Sequence, residues 1–302
     1  MLRRLFCLLL VTSTTYGVQA EGSDIWLIDY ATSKDNPVSV YRPQNWQKIT
    51  NAPFYHNQPY FSPDEKFLYY TAADAQGQTD LWRFELASGD KVNLTNSATS
   101  EYSPTPMPSN EGLSGIWVDA QGKQWLRAWD RLGQPVANLL SVEPIGYHVW
   151  VNDDEVLVFV LGSGETPVHT LQRHTVNGAL SDTDTTVIDK NIGASLWVIP
   201  GQAGTFSYSK MLDGKHWLMS YDSNTGVTES LTILPNESPY YAWTKDGSVV
   251  TVAADGKELL RYDMGDKEWQ TLFAIGSHCS YGASRLVFAP LGNKLALVCN
   301  RP

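Results

Sequence analysis

The sequence has few cysteines, few basic residues and little charge overall. Cysteine occurs three times in 302 residues, which excludes a small fold held together by many disulfides. Lys and Arg total 22 against 32 Asp and Glu, so the chain lacks the basic surface of a nonspecific nucleic-acid binder. Charged residues make up 18% and hydrophobic residues 42%, a composition that excludes a disordered chain and predicts a buried core.

The first twenty residues have the pattern of a secretory signal peptide. Arg3 and Arg4 form a charged start, an apolar stretch follows, and the segment ends at Ala20 on a small-x-small cleavage site. The stretch 5–18 contains several hydroxyl residues and is shorter than the roughly 20 residues of a membrane span. We therefore expect cleavage after Ala20, a mature chain of residues 21–302 with no membrane span, and a secreted or periplasmic location.

One turn phrase recurs along the whole chain. Its clearest copy is Phe61-Ser62-Pro63-Asp64, a tight polar turn between two apolar strands. Equivalent turns follow at intervals of 44 to 48 residues. Their anchor positions are Pro63, Pro108, Asn152, Pro200, Lys245 and Pro290. Two residues before each anchor the residue is apolar, which predicts a core position occupied by Phe61, Pro106, Trp150, Val198, Trp243 and Phe288.

A second family of turns, rich in glycine, alternates with the first, so each period holds two hairpins and four strands. A four-stranded unit of this length is the size of a propeller blade. The hairpin at 24–50 is of the outer type and the one at 285–299 is of the inner type. The sequence predicts an all-β, six-bladed β-propeller of four-stranded blades over residues 21–302. N-terminal outer strands and C-terminal inner strands would share one blade and close the ring.

The repeat resembles that of TolB-type propellers. The resemblance rests on Phe61-Ser62-Pro63-Asp64, Asp80-Leu81-Trp82 and Leu94-Thr95, a phrase also found in the propeller domain of the prolyl oligopeptidase family. Wider stretches resemble short secreted TolB-like proteins that consist of the propeller alone: Asn57-Gln58-Pro59, Glu101-Tyr102-Ser103-Pro104, Gly146-Tyr147-His148 and Tyr241-Ala242-Trp243. These are turn and packing motifs, so the resemblance implies a fold and leaves the chemistry open.

The mouth of the central channel is the candidate site, because the innermost strands bring one residue from every blade to the axis. Five residues before each anchor stands a side chain that can form hydrogen bonds: Gln58, Ser103, Tyr147, Ser195, Tyr240 and Arg285. Further polar residues lie beside them: His56, Glu101, Tyr102, His148 and Tyr241. Together they would form a pocket for a small polar ligand or a peptide end. The alternative is that each strand simply becomes polar where it meets water.

The sequence contains no zinc-protease motif, phosphate-binding loop or nucleophile elbow. We therefore expect a non-enzymatic binding or protein-interaction scaffold whose partner is an unknown protein or a small polar ligand. The alternative is a small hydrolase or lactonase-like enzyme with a polar or metal site at the channel mouth. His56, Glu101 and His148 have side chains that can ligate metal, but we expect neither a metal nor another cofactor.

Two cysteines, Cys279 and Cys299, remain beyond the signal peptide. A hairpin folded at Pro290 pairs Cys299 with residues near Ser284, so a disulfide in the closing blade requires the loop that contains Cys279 to fold back. The sequence is compatible with this disulfide and with two free thiols.

Overall fold

The computed structural model describes residues 22–33, 40–109, 111–176 and 185–302. Over these residues 24 strands form six antiparallel sheets of four strands each. The all-β fold and the six blades predicted from the repeat are therefore confirmed. The predicted signal peptide lies outside the described residues. No helix formed by the described residues is long and apolar enough to cross a membrane.

Every blade is a four-stranded meander. The closing blade contains β1 (Ser23–Ser33), β2 (Val40–Lys48), β23 (Ala283–Phe288) and β24 (Lys294–Asn300). The other five blades are each built from one continuous segment. The first contains β3 (His56–Phe61), β4 (Phe67–Ala73), β5 (Thr79–Glu85) and β6 (Lys91–Asn93). The second contains β7 (Ser100–Pro106), β8 (Gly112–Val118), β9 (Gln124–Asp130) and β10 (Pro135–Asn138).

The third blade is β11 (Ile145–Trp150), β12 (Glu155–Val160), β13 (Thr170–Thr175) and β14 (Thr186–Lys190). The fourth is β15 (Ile192–Val198), β16 (Thr205–Leu212), β17 (Lys215–Asp222) and β18 (Thr228–Ile233). The fifth is β19 (Ala242–Trp243), β20 (Val249–Val252), β21 (Glu258–Tyr262) and β22 (Trp269–Ala274).

Both ends of the described chain build the closing blade. Its strand order is β2-β1-β24-β23, and β1 pairs with β24 from Ser23 opposite Asn300 to Asp29 opposite Lys294. Arg301 then binds the Asp24 carboxylate through two nitrogens, at 2.8 and 2.9 Å. This pairing confirms the predicted ring closure and leaves no unpaired edge at the seam.

The repeat motifs form turns and blade edges. The Ser62 hydroxyl donates to the Asp64 carboxylate at 2.7 Å inside the first turn. The Asp80 carboxylate accepts hydrogen bonds from Thr95 Oγ1 at 3.1 Å and Asn93 Nδ2 at 2.8 Å, tying β5 to the strand outside it. The residues that carry the TolB resemblance therefore stabilise a turn and the outer edge of a blade.

The predicted core position is buried in four of its six copies. Trp150 and Trp243 are each 7% exposed, and Phe61 and Phe288 are also buried. Pro106 is half-buried, and at Val198 the prediction is wrong, because this side chain is 47% exposed. The strand β15 is irregular between Ile192 and Leu196, so its alternation shifts and Ile199 is buried instead.

Candidate functional site

Six innermost strands converge on one narrow cavity of about 60 Å³ in the central channel. Its lining includes all six residues that lie five places before the anchors: Gln58, Ser103, Tyr147, Ser195, Tyr240 and Arg285. The cavity has room for only a few water molecules or a small ionic group.

Irregular pairing turns these side chains toward the channel. The register shifts at this level in β3, β7, β11, β15 and β23. Gln58 and Ser103 both have a φ of 55°, a left-handed conformation that is uncommon outside glycine. A bulge places two residues opposite one and redirects a side chain, which explains why a polar residue in each of these five strands faces the axis.

Arg285 is the cationic group of the cavity. Its guanidinium carbon lies 4.1 Å from the ring centroid of Tyr240 and 5.2 Å from that of Tyr147. Its Nη2 donates to the Tyr147 hydroxyl at 3.0 Å. Within the described part of the chain, Arg285 forms no ion pair with a carboxylate.

The electrostatics of this cluster keep Arg285 charged. Burial acts to lower the pKa of Arg285, but the phenols of Tyr147, Tyr240 and Tyr55 outweigh burial and raise it. Burial likewise opposes ionisation of Tyr147, whereas the adjacent guanidinium lowers the pKa of this phenol below its usual range. The channel therefore holds a fixed positive charge, which is in contact with the rings of Tyr147 and Tyr240.

Four polar atoms on residues that line this cavity are buried and have no hydrogen-bond partner in the described part of the chain: Ser103 Oγ, His148 Nδ1, Trp197 Nε1 and Arg285 Nε. The indole and guanidinium N–H groups among them can only donate, and the serine hydroxyl can also donate. Buried polar groups of native proteins are almost always paired, so these atoms indicate water or a ligand in the cavity.

The far end of the cavity is closed by two stacked aromatic rings. Tyr60 and Trp197 lie on opposite sides of the channel with ring centroids 5.8 Å apart and planes at 20°. Beyond them is an apolar cavity of about 300 Å³. Sequence analysis missed both residues, although each stands three places before an anchor, two residues further along the strand than the predicted polar position.

A larger cleft of about 1100 Å³ opens at the polar end of the channel. Turns of the fourth and fifth blades and of the seam line it, and Tyr240 belongs to both the cleft and the channel cavity. Its polar side chains include Lys215, His216, Asn236 and Asp255. Sequence analysis missed this cleft because its walls come from loops that lie apart in the repeat.

Two of the remaining candidates join blades to each other. His148 Nε2 lies 2.7 Å from Ser114 Oγ, and burial lowers the pKa of His148 to about 3, so the imidazole is neutral. The Tyr241 hydroxyl donates to Ser207 Oγ at 2.9 Å and is fully buried. Both residues also line the channel cavity.

The other three candidates lie outside the lining of this cavity. His56 Nδ1 is 2.9 Å from the carbonyl oxygen of Ser23, at the seam of the ring. Glu101 is buried and accepts a hydrogen bond from the Ser97 hydroxyl at 2.6 Å. Tyr102 is half-buried against the core between the second and third blades.

The potential metal ligands are therefore in three separate environments. In the residues that the structure describes, no group of three His, Cys, Asp or Glu side chains is arranged to hold a metal ion.

Burial raises the pKa of Glu101 to about 7, and hydrogen bonds from Ser97 and Thr95 only partly oppose this effect.

Cys279 and Cys299 are joined in the structure, with their Cα atoms 5.1 Å apart. Cys299 lies opposite Ala283 in the closing hairpin, and a turn in which Gly282 N donates to Cys279 O at 2.9 Å folds the first cysteine back. The disulfide thus lies beside the seam, next to the wall of the large cleft.

The blade count, the closure and the polar channel define a six-bladed β-propeller. Solved structures with the same fold include one from Agrobacterium tumefaciens that carries the name TolB provisionally, at 14% identity and a TM-score of 0.65, covering 94% of this chain and 99% of that one. TolB from Acinetobacter baumannii has 11% identity and a TM-score of 0.55, and the match covers 91% of this chain and 63% of that longer one.

An oligogalacturonate lyase in complex with manganese is similar at a TM-score of 0.57 and 14% identity, covering 87% of this chain and 83% of that one. No protein-family model and no curated protein matches the sequence. The comparisons therefore confirm the TolB-like fold that the sequence resemblance implied, and at these identities they show the fold alone.

Proposed function

We propose that this chain is a non-enzymatic binding propeller of the periplasm or the extracellular space, and that its channel binds a small anionic group, typically a carboxylate. The observation that carries the proposal is Arg285, a guanidinium inside the channel that forms no ion pair with a carboxylate of the described residues. A charge removed from water is costly unless it is paired. A ligand anion would supply the missing charge.

The unpartnered donors support the same ligand. Arg285 Nε, Trp197 Nε1 and the Ser103 hydroxyl all belong to the lining of one small cavity. A carboxylate accepts several hydrogen bonds through its two oxygens, and a guanidinium presents a planar fork that matches it. The cavity is therefore suited to the end of a ligand rather than to a whole drug-sized molecule, which needs at least about 300 Å³.

The hydrogen-bonded pair of Ser114 and His148, beside the channel, supports a binding function over hydrolysis. A serine hydrolase needs a nucleophile bonded to a base at a position that substrate can reach. Ser114 and His148 are within hydrogen-bond distance, but Ser114 is fully buried between blades and also accepts a hydrogen bond from Trp150.

The proposed periplasmic or extracellular location rests on the predicted signal peptide and on the fold shared with TolB structures.

Thermal melting of the chain expressed from Glu21 tests the proposal. We expect acetate to raise the melting temperature and isosteric acetamide to leave it unchanged, because only acetate carries the charge. In Arg285→Gln the affinity for acetate should fall about thirtyfold, which corresponds to roughly 2 kcal/mol. Arg83→Gln, which removes an arginine stacked on Phe67 outside the channel, is the matched control and should behave as wild type.

Equal acetate binding by the wild type and a folded Arg285→Gln variant would overturn the proposal. Arg285→Lys keeps the charge and loses the planar fork, so it separates a loss of charge from a loss of geometry. Turnover of simple ester or lactone substrates that depends on channel residues would support the enzymatic alternative instead.

A further inference from the structure

The large cleft indicates what is attached to the bound anion. We infer that the ligand is the C-terminal end of a peptide, with its carboxylate on Arg285 and its preceding residues in the cleft. This inference rests on the proposed function, because it assigns the anion of the channel to a peptide terminus.

The cleft and the channel cavity meet at one residue. Tyr240 lines both spaces, and its ring covers the Arg285 guanidinium at 4.1 Å. Ser284, the residue before Arg285, also lines the cleft. The Ala283 amide donates to Gly256 O at 2.8 Å, so the turn that contains Asp255 lies directly beside the start of β23. A ligand whose anion reaches Arg285 therefore has the rest of its length against this turn.

The walls of the cleft are suited to an extended main chain. Its volume of about 1100 Å³ exceeds the 300 to 1,000 Å³ typical of small-molecule pockets. Much of the lining is small: Gly214, Gly256, Gly282, Ala253, Ala254 and Ala283. Small residues leave room for an extended peptide to lie close to the wall of the cleft.

Asn236 has an unpaired acceptor among the described residues that line the cleft. Asn236 Nδ2 donates to Thr251 Oγ1 at 3.1 Å and to the Val252 carbonyl at 2.6 Å, so both of its N–H groups are used. Its Oδ1 is buried and has no partner. The Thr251 hydroxyl in turn donates to the Tyr240 carbonyl at 2.7 Å, which holds this acceptor close to the channel entrance. An amide N–H of a peptide would satisfy it.

The charges of the cleft select the residues upstream of the carboxylate. Glu237 and Asp255 are acidic, whereas Lys215 is the one lysine or arginine among the described residues that line the cleft. His216 is neutral, because burial lowers its pKa. An anion is therefore favoured at Arg285 and disfavoured in the cleft. A peptide with a free carboxylate and a basic residue a few positions before it matches both regions.

Calorimetric titration with three N-acetylated tetrapeptides tests the inference. The first is Ala-Lys-Ala-Ala with a free carboxylate, the second is its C-terminal amide, and the third is Ala-Glu-Ala-Ala with a free carboxylate. We expect the amide to bind at least tenfold more weakly than the free acid, and the glutamate peptide to bind several-fold more weakly than the lysine peptide.

Variants assign each effect to a part of the site. Arg285→Gln should remove the preference for the free acid over the amide. Asp255→Asn should reduce the ratio of the affinity for the lysine peptide to that for the glutamate peptide. Asp266→Asn, which removes an exposed turn carboxylate of the same blade outside the cleft, is the matched control and should change neither preference.

The outcomes distinguish the two proposals. If acetate protects the protein through Arg285 but the free acid binds no better than the amide, the peptide inference is overturned and the proposed function stands. If neither acetate nor any peptide binding depends on Arg285, both are overturned. Equal affinity for the lysine and glutamate peptides would contradict the role assigned to the cleft.

Discussion

The indole Nε1 of Trp150 donates a hydrogen bond to Ser114 Oγ at 2.8 Å, across the boundary between the second and third blades. Two residues earlier in the same strand, His148 Nε2 lies 2.7 Å from the same oxygen. A serine on the second strand of one blade thus holds two side chains of the next blade's innermost strand.

The same tie recurs between the fourth and fifth blades. Trp243 Nε1 donates to Ser207 Oγ at 2.7 Å, and the Tyr241 hydroxyl donates to it at 2.9 Å. The recurrence explains why His148 and Tyr241, which the sequence places beside the channel mouth, also act in blade packing. Mutation of either residue would disturb stability and binding together, so neither is a clean probe of the channel.

Truncation of Trp150 or Trp243 to Ala should destabilise the protein by roughly 3 to 5 kcal/mol, because each change leaves a cavity between blades. Urea unfolding followed by circular dichroism measures the loss. Trp150→Phe keeps most of the packing and removes the indole hydrogen bond, so its cost should be smaller. Leu132→Ala, at a position 78% exposed, should stay within about 0.5 kcal/mol of wild type. A tryptophan variant as stable as the Leu132 variant would contradict this packing.

Removal of residues 285–302 should prevent formation of the closed ring. The deletion takes away the whole of β24 and four of the six residues of β23, so β1 loses its β24 partner. The first and fifth blades then face an incomplete closing blade. We expect the truncated chain to melt at a much lower temperature or without a cooperative transition. Differential scanning calorimetry of the chain starting at Glu21, with and without these residues, gives the comparison. Identical transitions would rule out the closure as a source of stability.

The pairing of Cys279 and Cys299 should stabilise the seam by about 3 kcal/mol, the value expected when a disulfide closes a loop of this size. Thiol titration of unreduced, denatured protein should find no free thiol in the chain from Glu21. The single variants Cys279→Ser and Cys299→Ser should lose similar stability, and a reducing agent should lower the wild-type melting temperature to theirs. Two titrating thiols would eliminate the disulfide.

Glu101 should make stability depend on pH between its ordinary pKa of 4.5 and its raised pKa of about 7. The folded state holds the proton more tightly than the unfolded state, so the free energy of unfolding should fall as pH rises through this window. The contribution is on the order of 3 kcal/mol. Glu101→Gln should flatten this part of the profile, whereas Glu229→Gln, at an exposed position, should not. Urea unfolding from pH 4.5 to 8 measures the slopes, and equal slopes for all three proteins would contradict the assignment.

Sequence periodicity predicted the candidate site only in part. Gln58 and Arg285 were found by counting back from turn anchors, because every blade repeats the same strand and therefore the same distance to the axis. His56 and Glu101 lie at nearby sequence positions, but they face the seam and a blade interface. A bulge at the channel end of the strand changes the face on which a side chain lies, and no residue pattern marks the bulge.

The residues of the cleft could not be predicted from the repeat. Asn236 and Asp255 lie in connections of different length, so no repeat aligns them, and only the folded chain brings them to one cleft. The same holds for Tyr60 and Trp197, which belong to the first and fourth blades and meet across the channel.

The sequence by itself determined the number of blades, the way in which both ends share one blade and the polar position at the axis, because these follow from local turns and strand alternation repeated at a constant interval. Only the tertiary structure decided that Arg285 lies in the channel, stacked on Tyr240 and away from every carboxylate of the described residues, and that a cleft adjoins it. The charge pairing and the burial of a side chain depend on its neighbours in space, and around the channel these neighbours come from distant blades. That arrangement exists only when the ring is closed.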